Sequence, residues 1–287
     1  MVKRAVLIGI DYVKDKNLRL AGCINDAIAM RNFLIDAYGY KKENISMLRD
    51  DEVDGYITPT RNNIIVEIYN AIRFSQPEDE LWIHYSGHGT YDYDTNNDEL
   101  DGRDELIVPV DYSTAGCIID DELKKILNFS KCMVCITQDS CHSGTGWDLP
   151  YRFTRDASSN LVVNHESSIL TNKNIYMFSG ARDNQYAADS YSVDTARNIG
   201  AFTDTFIDCL RNRQHTVAFV DLIDDINNEL RKSGFEQRSE FTSSNINPQN
   251  VVITKNGIIE PSIESDRKRT IVRNNLKKMN FLTTPKY

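Results

Sequence analysis

Five short and almost continuously apolar runs set the pattern of the chain, at residues 5–10, 45–48, 81–85, 133–137 and 175–179. Runs this short, with little polar alternation, fit strands buried on both faces better than helices. Between them lie segments with apolar residues at helical spacing. Ile24, Ala27, Ile28, Leu34 and Ile35 mark a helix over 25–38, and Ile64, Ile65, Ile68 and Ile72 mark another after Pro59. Further helices are expected at 121–127, 200–212 and 217–232, a short strand at 106–110 and a last strand at 251–254. Strands alternating with helices predict an α/β fold: a mostly parallel sheet of about six strands with helices on both faces.

With 287 residues, 40% of them hydrophobic, the chain can bury the core of one such domain. The net charge of -9 disfavours nucleic acid as a main partner. It suits basic substrates or cations, although solubility alone accounts for it too. No run of about 18 apolar residues is present, so no membrane span is expected. The N-terminal MVKRAVLIGIDY has two basic residues but only a short apolar run and no small-residue cleavage site, unlike a signal peptide. Six scattered cysteines do not form a disulfide framework, which points to a reducing, cytoplasmic setting. Residues 152–174 are polar and weakly periodic and read as a linker loop. From 255 onward the composition turns basic (Arg267, Lys268, Arg269, Arg273, Lys277, Lys278), as in a solvated or partner-binding tail.

Two of the expected strands end in reactive groups. One delivers Ser86 and His88, the other Asp139 and Cys141. In an open parallel sheet, function gathers beyond the carboxyl ends of the strands. Each pair is two residues apart and so shares one face while the chain stays extended, and neighbouring strands lie about 5 Å apart. An imidazole beside a thiol can take its proton and later return it to a leaving amine. Gly87 and Gly89 allow close backbone approach, and the N–H groups of Gly89 and Cys141 are candidates for an oxyanion hole. Taken alone, a single Cys and a single His at strand ends more often serve packing than catalysis.

The surrounding residues change that balance. Tyr85-Ser86-Gly87-His88-Gly89 and Asp139-Ser140-Cys141-His142-Ser143-Gly144 resemble the two signature motifs of metacaspases, the caspase-like peptidases of plants, fungi, protists and bacteria. Gly22 to Ala27, Val108 to Tyr112, Ile119 to Leu123 and Asp148 to Tyr151 follow the family in the same order. So do Ser179 to Gln185 and Gly200 to Thr203, which are similar to its smaller subunit. The resemblance spans about residues 3–254. It implies a caspase-like domain with a large-subunit-like part (1–151), the linker, a small-subunit-like part (175–254) and a basic tail (255–287). No Pro/Gln-rich or zinc-finger extension precedes the catalytic region, and the linker is short, as in a prodomain-less type I-like member.

The resemblance implies His88 and Cys141 as the catalytic dyad and cleavage after Arg or Lys. It places the basic-residue pocket at Cys23, Asp26, Ser86 and Asp139. Two carboxylates beside a thiol would suit a guanidinium, although Asp26 also fits a helix first turn and Asp139 a strand-end turn. Calcium activation is implied too, with ligands at Asp104, Asp120, Asp121 and Asp148; carboxylate oxygens are the donors calcium prefers. A pattern over 92–103 imitates an EF-hand, but Asn97 and Arg103 stand where Gly and Glu are required. Self-processing would fall at Arg152, Arg155 or Lys173. No organic cofactor is implied, protein substrates are the expected partners, and a monomer is expected.

Other constellations carry less. Cys132-x-x-Cys135 has an odd spacing within an expected strand, which puts the two thiols on opposite faces as core residues. Ser140 and Ser143 lack a G-x-S-x-G elbow. Trp147 and Tyr151 read as packing residues rather than cleft lining, although both readings stand at this point. The rival readings are a catalytically silent caspase-like scaffold and an Asp-specific enzyme, which would need a basic pocket rather than an acidic one.

Overall fold

The computed structural model describes residues 1–93, 103–141, 147–167, 169–180, 189–192 and 197–259. In chain order the elements are β1 (Lys3–Gly9), α1 (Cys23–Tyr38), β2 (Ile45–Arg49), α2 (Arg61–Phe74), β3 (Glu80–Ser86), β4 (Gly89–Tyr93), β5 (Arg103–Ile107), α3 (Tyr112–Ala115), β6 (Ile118–Ile119) and α4 (Asp120–Leu127). There follow β7 (Met133–Asp139), β8 (Tyr151–Arg155), β9 (Leu161–His165), β10 (Ile175–Ser179), β11 (Asp189–Ser192), β12 (Arg197–Gly200), α5 (Ala201–Asn212), β13 (Val217–Ala218), α6 (Phe219–Lys232), β14 (Glu240–Ser243), β15 (Val252–Thr254) and β16 (Gly257–Ile259).

The apolar runs form the centre of the main sheet. β2, β1, β3, β7 and β10 pair in that order, all parallel. Among the described residues the sheet then continues through β14, β8 and β9, all antiparallel, to eight strands rather than the expected six. The expected last strand at 251–254 is not part of it. That segment is β15, in a separate small sheet with β13 and β16, and β14 takes the place beside β10. Nor is 152–174 simply a loop, because it begins with the β8–β9 hairpin. β14 reads Glu-Phe-Thr-Ser and β8 Tyr-Arg-Phe-Thr-Arg; such short strands with interleaved polar residues carry little apolar signal. Sequences like these are recruited into a sheet by their neighbours rather than by propensity.

Two apolar layers cover the sheet. One packs α1, α5 and α6 on it through Phe33, Leu34, Phe206, Phe219 and Leu230, and the other packs α2 and α4 through Ile64, Ile68, Leu123 and Leu127. Cys135 belongs to the first layer and Cys132 to the second, on opposite faces as their spacing predicts. Trp147 is fully buried and Tyr151 nearly so, as packing residues. A ring cluster of Tyr176, Phe178, Phe206, Phe219 and Phe241 locks α5 and α6 against β10 and β14. That cluster fixes where the N-terminus of α5 emerges, at the carboxyl end of the central strands. No helix among the described residues is long and apolar enough to cross a membrane.

Candidate active site

β3 and β7 run in register, with Ser86 opposite Asp139. The register persists past the strand ends: the Gly87 N–H reaches the Asp139 carbonyl at 3.4 Å, and Gly89 lies against the backbone of Cys141. A Cβ at Gly89 would overlap the Cys141 carbonyl, so glycine is required for this approach. The backbone segments that bear His88 and Cys141 therefore run alongside one another beyond the ends of β3 and β7. Cys141 is half-buried and forms no disulfide. His142, Ser143 and Gly144 lie outside the described residues.

His88 is held on every polar side of its backbone. Its N–H donates to the Tyr12 hydroxyl at 3.0 Å, and its carbonyl accepts from the Tyr85 hydroxyl at 2.7 Å and from the Val108 N–H at 3.3 Å. The imidazole Nε2 sits 2.7 Å from the Leu18 carbonyl. A carbonyl can only accept, so Nε2 carries the proton and a neutral ring keeps its acceptor at Nδ1. Tyr85 was legible only as the first residue of a motif, and Tyr12 and Leu18 were not singled out from the sequence; a distant phenol or a backbone carbonyl leaves no local motif.

The acidic pair lies next to this dyad. Asp26 is 1% exposed; its Oδ1 accepts the Gly200 N–H at 2.7 Å and its Oδ2 the Ser86 hydroxyl at 2.5 Å. Asp139 is 5% exposed, and its Oδ2 accepts both the N–H and the hydroxyl of Thr203, at 2.9 and 2.7 Å. The Thr203 N–H belongs to the first turn of α5, where backbone donors and the helix dipole favour a negative charge. The two carboxylates converge on Gly200: a Cβ there would overlap the Asp139 carboxylate and stand 2.9 Å from Asp26 Oδ2. Ser86, Asp26 and Asp139 are thus brought together. Cys23 stands one turn before Asp26, buried at the start of α1, where its N–H and that of Ile24 are capped by Asp11 Oδ1. Gly200 and Thr203 complete the slot. The sequence drew attention to them only as part of a subunit motif.

The four carboxylates expected to bind a cation are only partly assembled. Asp120 and Asp148 are buried near one another, and burial, with the Asp148 charge second, pushes the Asp120 carboxyl up to about 7. Asp120 accepts the N–H groups of Glu105 and Asp121. Asp148 Oδ2 faces the buried Lys124 ammonium at 3.3 Å, while its Oδ1 has no hydrogen-bond partner among the described residues. Asp121 pairs with Lys125 at 2.9 Å, and Asp104 lies opposite Asp92 on paired strands. Among the described residues no group of three or more His, Cys, Asp or Glu side chains stands in a metal-holding arrangement. The EF-hand-like stretch falls mostly outside those residues.

A family profile described as the metacaspase, peptidase C14 domain matches residues 3–150. Metacaspase-1 of Cryptococcus neoformans var. neoformans is 33% identical over 87% of this chain, which spans 64% of that protein. Metacaspase-1 of Candida glabrata is 32% identical over 84% of this chain and 72% of its own length; the Saccharomyces cerevisiae protein of the same name is 32% identical, over 84% and 66%. The crystal structure of GSU0716 from Geobacter sulfurreducens superposes with a TM-score of 0.60 at 24% identity, covering 85% of this chain and 93% of that one. This last likeness is one of fold.

Proposed function

This chain belongs to the metacaspase family, and on that premise we propose that it is a cysteine endopeptidase cleaving after Arg or Lys, with Cys141 as nucleophile and His88 as acid and base. The observation that carries the specificity is the pair of buried carboxylates, Asp26 and Asp139, meeting at Gly200 beside the ends of the two strands that bear the dyad. A planar guanidinium can bridge such a pair, and an aspartate at the cleavage site would be repelled by it. His88 Nδ1 accepts the Cys141 proton as sulfur attacks the scissile carbonyl, and the same proton passes to the leaving amine. Water then hydrolyses the thioester. The Gly89 and Cys141 N–H groups would receive the developing oxyanion.

Calcium is the cation this reading includes. The donors are hard carboxylate oxygens, and Asp120 and Asp148 lie buried together with the Lys124 ammonium against Asp148. Asp120 and Asp148 would hold the ion, with Asp104 and Asp121 as further donors. When bound, it would neutralise this cluster and draw the three segments that bear it together.

Wild type and Cys141→Ala should be assayed on fluorogenic peptides ending in Arg, Lys or Asp, with calcium and with EGTA. Cleavage of the Arg and Lys peptides by wild type alone, lost in EGTA, is the expected result. Cleavage after Asp would refute the pocket, full activity in EGTA would refute the calcium role, and equal rates in both proteins would refute the enzyme.

Self-processing, if it follows the same specificity, should fall after Lys173. Arg152 lies in β8 between two other strands and is held by Glu166 and Glu240, and Arg155 ends the same strand in an ion pair with Asp224. Lys173 is exposed and lies outside any strand. On incubation with calcium, Lys173→Gln should stay intact where wild type is nicked. Nicking of both at the same position would show that another bond is cut.

A further inference from the structure

We propose that Tyr12, fixed in place by Asp50, is a positioning residue that sets the catalytic imidazole of His88. This rests on the reading of His88 and Cys141 as a dyad.

The segment from Asp11 to Leu20 is a closed loop. The Leu20 N–H returns to the Asp11 carbonyl at 2.9 Å, and the Asp15 N–H returns to the Tyr12 carbonyl at 2.9 Å. Within it Tyr12 adopts a left-handed backbone, with φ of 50°. That conformation is uncommon for a residue with a bulky side chain and persists only where the surroundings impose it. Asp50 imposes it: its Oδ1 accepts the Asp11 N–H at 2.9 Å and its Oδ2 the Val13 N–H at 2.8 Å. One carboxylate thus grips the chain on both sides of Tyr12.

Held this way, the Tyr12 ring is 3% exposed and packs against the imidazole, with centroids 4.8 Å apart. Its hydroxyl donates to the Val108 carbonyl at 2.6 Å and accepts the His88 N–H. Tyr85 closes the other side through the His88 carbonyl. Burial pushes both phenols well above their ordinary range, so both stay protonated and keep these roles. The same loop supplies the Leu18 carbonyl that fixes the imidazole tautomer. One loop therefore bears on where His88 sits, which way its ring turns and which nitrogen carries the proton. No other loop in the described site bears on all three. Asp50 lies outside the dyad and the acidic slot, so its contribution passes only through Tyr12 and its neighbours.

Tyr12→Phe keeps the ring contact and removes the hydroxyl's hydrogen bonds to Val108, His88 and Tyr85. Asp50→Asn keeps the shape and can accept only one of its two N–H donors. Two measurements should be made on each: kcat and KM on an Arg peptide, and the rate constant for alkylation of Cys141 by iodoacetamide, with Cys141→Ala subtracting the half-buried Cys117. Misfolding exposes the buried Cys23, Cys132, Cys135 and Cys209 and raises the amplitude of alkylation, whereas a displaced imidazole lowers the rate constant at unchanged amplitude. Both variants should lose about ten- to a hundredfold in kcat per folded molecule, the order expected of a misplacement near 1 Å, with KM little changed. Alkylation should slow in parallel. Wild-type kcat and alkylation rates in both variants would overturn the proposal. If wild type itself cleaves no peptide, the peptidase reading fails, and the alkylation arm still decides whether the loop controls the thiol.

Discussion

Asp139→Asn is expected to lower kcat/KM for an Arg-terminated peptide by two to three orders of magnitude while leaving the fold intact. The reason is geometric. Both donors of Thr203 address a single oxygen, Oδ2, so the one carbonyl oxygen of asparagine can keep them and the first turn of α5 stays anchored. What is lost is the charge. Removing one partner of a desolvated charge pair costs about 2–5 kcal/mol, or roughly 30- to 5,000-fold. Asp26→Asn should act similarly, because the Ser86 hydroxyl that now donates to Asp26 can rotate to accept from an amide. Steady-state kinetics on matched Arg and neutral peptides, with thermal unfolding of each variant, provide the check. The neutral peptide should be affected far less. A variant within threefold of wild type on the Arg peptide would place the substrate cation somewhere other than this slot.

His88→Ala is expected to lower kcat by about 10²–10⁴-fold, the range for loss of a positioned acid and base. KM should change little, since the imidazole is held against Leu18 and Tyr12 rather than in the acidic slot. Alkylation of Cys141 should slow as well, because thiolate formation loses its proton acceptor. Single-turnover kinetics separate this from a defect in product release. A variant whose acylation step runs at the wild-type rate would show that another group takes the thiol proton. The loss should exceed that of Tyr12→Phe, which shifts the imidazole without deleting it.

Much of this arrangement was legible before any coordinates. Continuous apolar runs at 81–85 and 133–137 read correctly as central strands, because burial on both faces leaves no polar alternation to confuse the period. Their polar ends then placed His88 near Cys141 and Ser86 near Asp139 by strand spacing alone. The edge of the sheet was not legible. β8 and β14 interleave Arg152, Arg155, Glu240 and Thr242 with single aromatic residues, and they become strands because β10 offers an unpaired side and the ring cluster needs covering.

The one-dimensional pattern thus determined the central sheet, the helices on its faces and which residues stand at the ends of the two central strands, since these follow from local periodicity and from short motifs. Only the tertiary structure decided what those residues face. The Leu18 carbonyl selects the proton-bearing nitrogen of His88, Tyr12 comes from a loop 76 positions away to grip its backbone, and Gly200 and Thr203 arrive across the fold to complete the slot around Asp26 and Asp139. Contacts of that kind depend on chain segments distant in sequence meeting at the ends of strands. Periodicity along the chain carries no record of such a meeting.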